Sequence, residues 1–156
     1  MSVAERFYDA FALGDWHTMG MLYAQHATFS DPVFPLLSTD EVRGMWHMLL
    51  SRAEDFSLNY KIDAESEDGA RVIWVARYTF SATGRPVTNR IVTEMRFAAG
   101  RIVKQTDRFN FWRWSSQALG VRGLLLGWTP LVRDRVRAQA AIGLKSFMEK
   151  ERQRGR

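Results

Sequence analysis

Two aspartates and a few amides and hydroxyls interrupt stretches of this sequence that are otherwise apolar. Between Arg101 and Trp112 an extended chain would place Val103, Gln105, Asp107, Phe109 and Phe111 on one side, and Ile102, Lys104, Thr106 and Arg108 on the other. The same alternation groups Asn89 and Thr93 with Ile91, Met95 and Phe97, opposite Arg90, Glu94 and Arg96. Tyr78 falls with Trp74, Ala76 and Phe80, opposite Arg71, Arg77 and Thr79. The apolar sides are the ones to be buried. A carboxylate placed there without a partner costs on the order of several kcal/mol, or its pKa rises instead. It persists where it is hydrogen-bonded or where a cavity reaches it, so Asp107 is the first candidate for acid–base chemistry. Asp31 is the second, because Pro32 restricts it to extended backbone and so fixes where its carboxylate points. An Asp-Pro pair equally suits a turn whose carboxylate bonds its own backbone, and both readings stay open. If the two aspartates share one cavity they titrate as a coupled pair, and one stays protonated near neutrality. Tyr78, Asn89 and Gln105 would then hold substrate or water, with Trp16, Trp46 and Trp74 as pocket wall or plain core.

The elements that must position these groups can be read from periodicity and turn chemistry. Val3, Phe7, Ala10 and Phe11 recur at helical spacing, and Gly14 follows where a helix can end. Asp15 can cap a short second helix. Ser38 and Glu41 have capping-box spacing before a stripe of Val42, Met45, Trp46, Leu49 and Leu50, which predicts a third helix. Strands are expected over Phe56–Glu65, Ala70–Ala82, Val87–Ala98 and Arg101–Trp112, separated by Asp68-Gly69, Thr83-Gly84 and Ala99-Gly100. Ala27–Asp31 alternates like a further short strand, stopped by Pro32. Helices first and a meander of strands second, without strand–helix–strand alternation, predict an α+β domain. Helical patterning returns after Trp114, with Pro130 near the start of a last helix.

Composition narrows the function classes. A chain of 156 residues builds one well-buried core and is too short for two ordinary domains. It has no cysteine, which removes disulfides, thiol nucleophiles and thiolate metal sites and fits a reducing, cytoplasmic setting. His17, His26 and His47 lack metal-ligand spacing, so no metal is expected, and no Gly-rich phosphate loop or nucleophile motif is present. No signal peptide is read at the N-terminus, and no apolar run approaches the roughly 20 residues of a membrane span. Of the net charge of +5, all arises after Pro130, where eight basic residues face three acidic ones. That pattern describes a basic tail better than a polyanion groove, so no nucleic-acid partner is expected.

One family resemblance joins these features. Phe7-Tyr8-Asp9-Ala10-Phe11, Leu13-Gly14-Asp15 and Leu22-Tyr23-Ala24-Gln25-His26-Ala27-Thr28-Phe29-Ser30-Asp31-Pro32 resemble the nuclear transport factor 2-like superfamily, as do Met95-Arg96-Phe97 and Gly100-Arg101-Ile102-Val103. The resemblance spans roughly residues 3 to 112. It implies a cone-shaped, curved antiparallel sheet wrapped by N-terminal helices, a deep pocket, and commonly a homodimer formed through the sheet. In the superfamily's ketosteroid isomerases, the base is the aspartate of an Asp-Pro pair, a position that looks like Asp31. By ungapped matching, the tyrosine and protonated aspartate of their oxyanion hole fall at Phe7 and Thr93, neither of which supplies the same donor. The limonene epoxide hydrolases use two aspartates bridged by an arginine, with tyrosine and asparagine helping hold the water. Asp107, Tyr78 and Asn89 resemble parts of that set, while Arg90 and Arg108 fall on the outward side. SnoaL-like polyketide cyclases use an acid–base aspartate on a late strand, which Asp107 resembles best.

The expectation is therefore a SnoaL-like pocket domain over residues 1–112 with a helical extension, residues 113–156, serving as lid or dimer contact within the same domain. Asp31 and Asp107 would do acid–base work on a small hydrophobic, oxygen-bearing molecule, as an isomerase, cyclase or hydrolase without a cofactor. Tyr78, Asn89, Gln105, Thr93, Trp46, Trp74, Phe7, Trp16 and Phe109 would contact the substrate. The alternative is a non-catalytic ligand-binding or dimerising module of the same fold.

Overall fold

Local capping starts the chain on its course. Ser2 accepts from the Glu5 amide and Glu5 accepts from the Ser2 amide, so a capping box opens helix α1 (Val3–Ala12). Gly14 takes a positive φ of 71° after it. The Asp15 side chain then accepts from the Thr18 amide and opens α2 (Trp16–Met21), as expected. The predicted Ser38–Glu41 capping box opens α3 (Thr39–Arg52). On α3 Val42, Met45 and Trp46 are buried as the stripe predicts, but Met48 takes the inner position and Leu49 is exposed.

In this computed structural model, which describes residues 1–156, six strands form one curved, unclosed sheet. They are β1 (Tyr23–Ser30), β2 (Leu37–Ser38), β3 (Glu54–Ser66), β4 (Gly69–Phe80), β5 (Arg85–Ala98) and β6 (Arg101–Arg108), in the order β2-β1-β6-β5-β4-β3. β1 runs parallel to β6 and all other neighbours are antiparallel. The β5–β6 hairpin turns on Ala99 and Gly100, both at positive φ, as a two-residue loop needs. Three helices follow: α4 (Phe111–Leu119), α5 (Val121–Leu126) and α6 (Pro130–Arg154). The fold is α+β with helices at both ends of the chain.

Two details depart from the simple alternation. Ile102 is fully buried, because a bulge shifts the pairing between Arg96 and Phe97 and turns it inward. The last strand stops at Arg108 instead of running to Trp112, because the Asn110 side chain accepts from the Arg113 amide and begins α4.

The core lies between the sheet and α1 and α3. Its rings interlock: Phe11 stacks on Phe56 at 5.3 Å and lies 4.9 Å from Trp46 and 5.1 Å from Trp74. A second, smaller apolar cluster of Val87, Phe111, Trp114 and Ala118 fastens α4 to the far end of β4 and β5. The long α6 crosses α3, with Leu144 inserted in the main core and Met148 against Gly44, where a Cβ would meet the methionine at 2.8 Å.

Candidate functional site

Pairing in the sheet sets the centre of the site. Thr93 on β5 lies opposite Asp107 on β6, and Gln105 lies opposite Met95. All three polar residues point to the buried side, as their alternation predicts. The Thr93 hydroxyl donates to Asp107 Oδ1 at 2.7 Å and accepts from Trp74 Nε1 at 2.8 Å. Gln105 Nε2 donates to the same Oδ1 at 3.2 Å. Behind it, Tyr23 donates to Gln105 Oε1 at 2.6 Å, and Trp46 Nε1 donates to the Tyr23 hydroxyl at 2.9 Å. A ribbon of hydrogen bonds thus runs across five elements, β4, β5, β6, β1 and α3, and converges on one carboxylate oxygen. Asp107 Oδ2 accepts none of them.

Asp107 is only 4% exposed. Burial pushes its pKa up to about 7, the Thr93 and Gln105 hydrogen bonds acting the other way and the charge of Asp31 adding to the rise. The group therefore changes charge near neutrality, where a general acid or base works best. Beside it stands Tyr8 of α1, fully buried, whose hydroxyl is the one buried side-chain polar atom without a hydrogen-bond partner. Burial raises its pKa, the charge of Asp107 adds to this, and the nearby Thr93 hydroxyl opposes it. Tyr8 is a neutral donor with nothing to donate to.

Asp31 lies just beyond β1, half-buried. Its Oδ1 accepts from the Val33 amide at 2.7 Å and the Phe34 amide at 2.6 Å, so the turn-forming role is realised. Its Oδ2 accepts no hydrogen bond. Burial nonetheless raises the pKa to about 6, against the pull of those amides and of Arg137. Arg137 on α6 donates to the Pro32 carbonyl at 2.9 Å and holds the turn in place. Tyr78, whose phenol feels the charge of Asp31, accepts from Trp114 Nε1 of α4 at 2.9 Å. Its pKa is raised mainly by burial, so the phenol stays neutral.

Asn89 is buried on β5 opposite Ala76 and makes no side-chain hydrogen bond. Phe109 packs against both apolar clusters. Phe7, Trp46 and Trp74 belong to the main core. Trp16 stacks on His47 at 3.6 Å, between α2 and α3. Two depressions open on the surface, one of about 640 Å³ over the outer sheet face between Arg71, Arg96 and Arg108, the other of about 540 Å³ between α6 and the Val33–Leu37 segment. Neither is lined by Asp31 or Asp107. Arg90 and Arg108 are exposed, on the outward side.

The sequence pattern of the SnoaL-like domain matches residues 4–105. This chain belongs to the SnoaL-like domain family. No curated protein sequence matches it. Among solved structures, the SnoaL-like domain is similar to a protein of Catenulispora acidiphila with a ketosteroid isomerase-like fold, in complex with trimethylamine. That pair has a TM-score of 0.67 and 15% identity, covering 82% of this chain and 97% of that one. It is also similar to IdmH of Streptomyces antibioticus, described as a candidate polyketide cyclase, with a TM-score of 0.62 and 24% identity over 76% of this chain and 96% of that one. A limonene epoxide hydrolase-like enzyme of M. tuberculosis aligns with a TM-score of 0.60 and 15% identity over 79% and 90%. At these identities the likeness shows the nuclear transport factor 2 and ketosteroid isomerase-like fold.

Sequence reasoning missed Tyr8 and Tyr23 within the SnoaL-like domain, and Trp114 beyond it on α4. Tyr8 carries its phenol into the site one residue after Phe7, where ungapped matching had put the position. The signal was available: Ala4, Phe7, Tyr8 and Phe11 are all buried and share one face at spacings of i, i+3, i+4 and i+7. A phenol on that face needs a partner inside.

Proposed function

We propose that this domain is a small-molecule enzyme that moves a proton on an apolar, oxygen-bearing substrate, as an isomerase, cyclase or hydrolase. One observation carries the reading: a buried carboxyl with its pKa pushed up to about 7 lies beside a buried phenol that has no partner. An orphaned buried hydroxyl costs about 1–3 kcal/mol, a penalty that a ligand oxygen accepting from Tyr8 would remove. Protonated Asp107 would donate through its free Oδ2 to the same oxygen. The pairing is similar to the tyrosine and protonated aspartate of ketosteroid isomerase. Asp31, through its own free Oδ2, would take the proton from carbon or from water. Tyr78, Asn89 and Gln105 would orient the ligand or the water.

Access is the role left for the helical extension, residues 113–156. Trp114 sits on Tyr78, Gln117 bonds the Arg85 side chain and the Thr88 amide, and Arg137 bonds the turn that holds Asp31. Withdrawal of α4 would uncover Tyr78. The extension is a lid in this reading. A cytoplasmic setting and a dimer formed through the outer sheet face belong to the same proposal, and sedimentation analysis tests the dimer.

The test is a screen of oxygen-bearing apolar compounds, including epoxides and polyketide-type ketones. Asp107→Asn and Asp31→Asn, made singly, should each lower any turnover at least about 100-fold. Full activity in both variants contradicts the mechanism. Phe7 and Thr93, which stand at the isomerase's two donor positions and supply neither donor, favour a second reading, a ligand-binding or dimerising module without chemistry. In that case the variants change ligand affinity and no compound is turned over.

A further inference from the structure

Helix α5 is built inside out. Val121, Leu124, Leu125 and Trp128 recur at i, i+3, i+4 and i+7, the spacing of a buried face, yet they are 71, 52, 62 and 70% exposed. The face that does pack consists of Gly123 and Gly127, both buried. A Cβ on Gly123 would collide with the Ser115 carbonyl, and one on Gly127 with the Ser115 hydroxyl. The glycines thus let α5 lie against α4 at backbone distance while every large side chain turns outward. The patch is held firmly. Trp112 Nε1 donates to the Leu124 carbonyl at 3.1 Å and Trp128 Nε1 to the Leu125 carbonyl at 3.0 Å. Leu126, Leu131 and Trp112 extend the exposed apolar surface around it. An exposed patch of this kind marks an interaction site.

The charge around the patch decides among occupants. From Asn110 to Arg135 the chain carries the exposed Arg113, Arg122, Arg133 and Arg135 against Asp134 alone. A second copy docking by the same face about a two-fold axis would set two cationic rims against each other. An anionic lipid surface meets both needs: leucines and valine enter the acyl boundary, tryptophans sit at the headgroup level, and arginines meet the phosphates. We infer that α5 and its flanking residues form an interfacial docking site for anionic membranes. No helix is long and apolar enough to cross a membrane, so the attachment is peripheral. Because α5 packs on α4, docking would set the Trp114–Tyr78 end of the molecule close to the bilayer.

The test is sedimentation of the full chain with vesicles of phosphatidylcholine alone and of equimolar phosphatidylcholine and phosphatidylglycerol. Binding to the anionic vesicles should be at least about tenfold stronger than to the neutral ones and should weaken as salt rises. Leu125→Asp combined with Trp128→Ser should lower that binding at least about tenfold, with an unchanged circular dichroism spectrum. Arg122→Glu with Arg135→Glu should lower it without touching the apolar stripe. Three results overturn the inference: no binding of the unaltered protein to anionic vesicles, equal binding by the Leu125/Trp128 variant, or a stable dimer that this variant converts to monomer. The last would assign the patch to a second copy.

Discussion

The inner side of β6 and the outer side of α5 break the same rule in opposite directions. On β6 the positions that should be apolar hold Gln105 and Asp107, whereas on α5 and the turn after it the positions that face water hold Val121, Leu124, Leu125 and Trp128. The two inversions differ in how they are kept. The polar ribbon is almost fully satisfied by its own partners, from Trp46 through Tyr23 and Gln105 to Asp107 and on through Thr93 to Trp74. It stops short at two atoms, Asp107 Oδ2 and the Tyr8 hydroxyl. The apolar stripe has no partner in the chain at all. Stability explains neither. What each lacks is a ligand of its own kind, one polar and one apolar.

Substitutions separate the two. The largest effect expected is on catalysis: Asp107→Asn should remove at least about 100-fold of any turnover, read as kcat/KM. The same change should stabilise the fold at alkaline pH. An aspartate titrates near 3.9 in an unfolded chain, and in the fold Asp107 titrates at about 7, so between these values the native state holds the extra proton. Stability from this group is fully present below about pH 4 and is lost as pH rises towards 7. Asp31, raised to about 6, adds a slope of the same sign over a lower window. Urea denaturation at pH 5 and pH 8 should therefore show a falling midpoint in the unaltered protein and a flatter profile in Asp107→Asn. An equal slope in both would remove Asp107 from the account.

Trp114→Ala should cost about 3 kcal/mol by calorimetry, since it deletes a buried ring and the donor to Tyr78, and it should raise the affinity for any ligand that enters past α4. Tyr8→Phe should change stability by about 1–3 kcal/mol in the favourable direction, because it removes an orphaned hydroxyl from a filled site. Lower turnover in that variant would tie the phenol to the reaction. The smallest effect is expected outside: Leu125→Ser should shift stability by no more than about 0.5 kcal/mol, because the side chain makes no core contact.

Most of the frame was legible because its signals are local. Capping pairs three residues apart, two-residue turns with Gly100 at positive φ, and strict alternation on β5 each act within a few residues. Asp107, Thr93 and Gln105 were legible as a set because strand parity alone sends them inward. Partners were not legible. Tyr23 and Gln105 are 82 residues apart, and no local pattern announces that a strand-end tyrosine will meet a distant amide. The bulge that turns Ile102 inward and the Asn110 cap that cuts β6 short also depend on pairing and packing that sequence parity does not contain. Tyr8 was overlooked for another reason: the helical stripe was read through Phe7, and the residue beside it shares the same buried face.

Asp107 keeps its proton up to a pKa of about 7 inside the polar ribbon. Carbon-detected NMR of aspartate carboxyls, with Asp107→Asn and Asp31→Asn for assignment, measures this directly. A carboxyl titrating at about 7 should be seen, should disappear in Asp107→Asn and should move lower in Asp31→Asn, where the neighbouring charge is gone. A midpoint near 4 for Asp107 would contradict it.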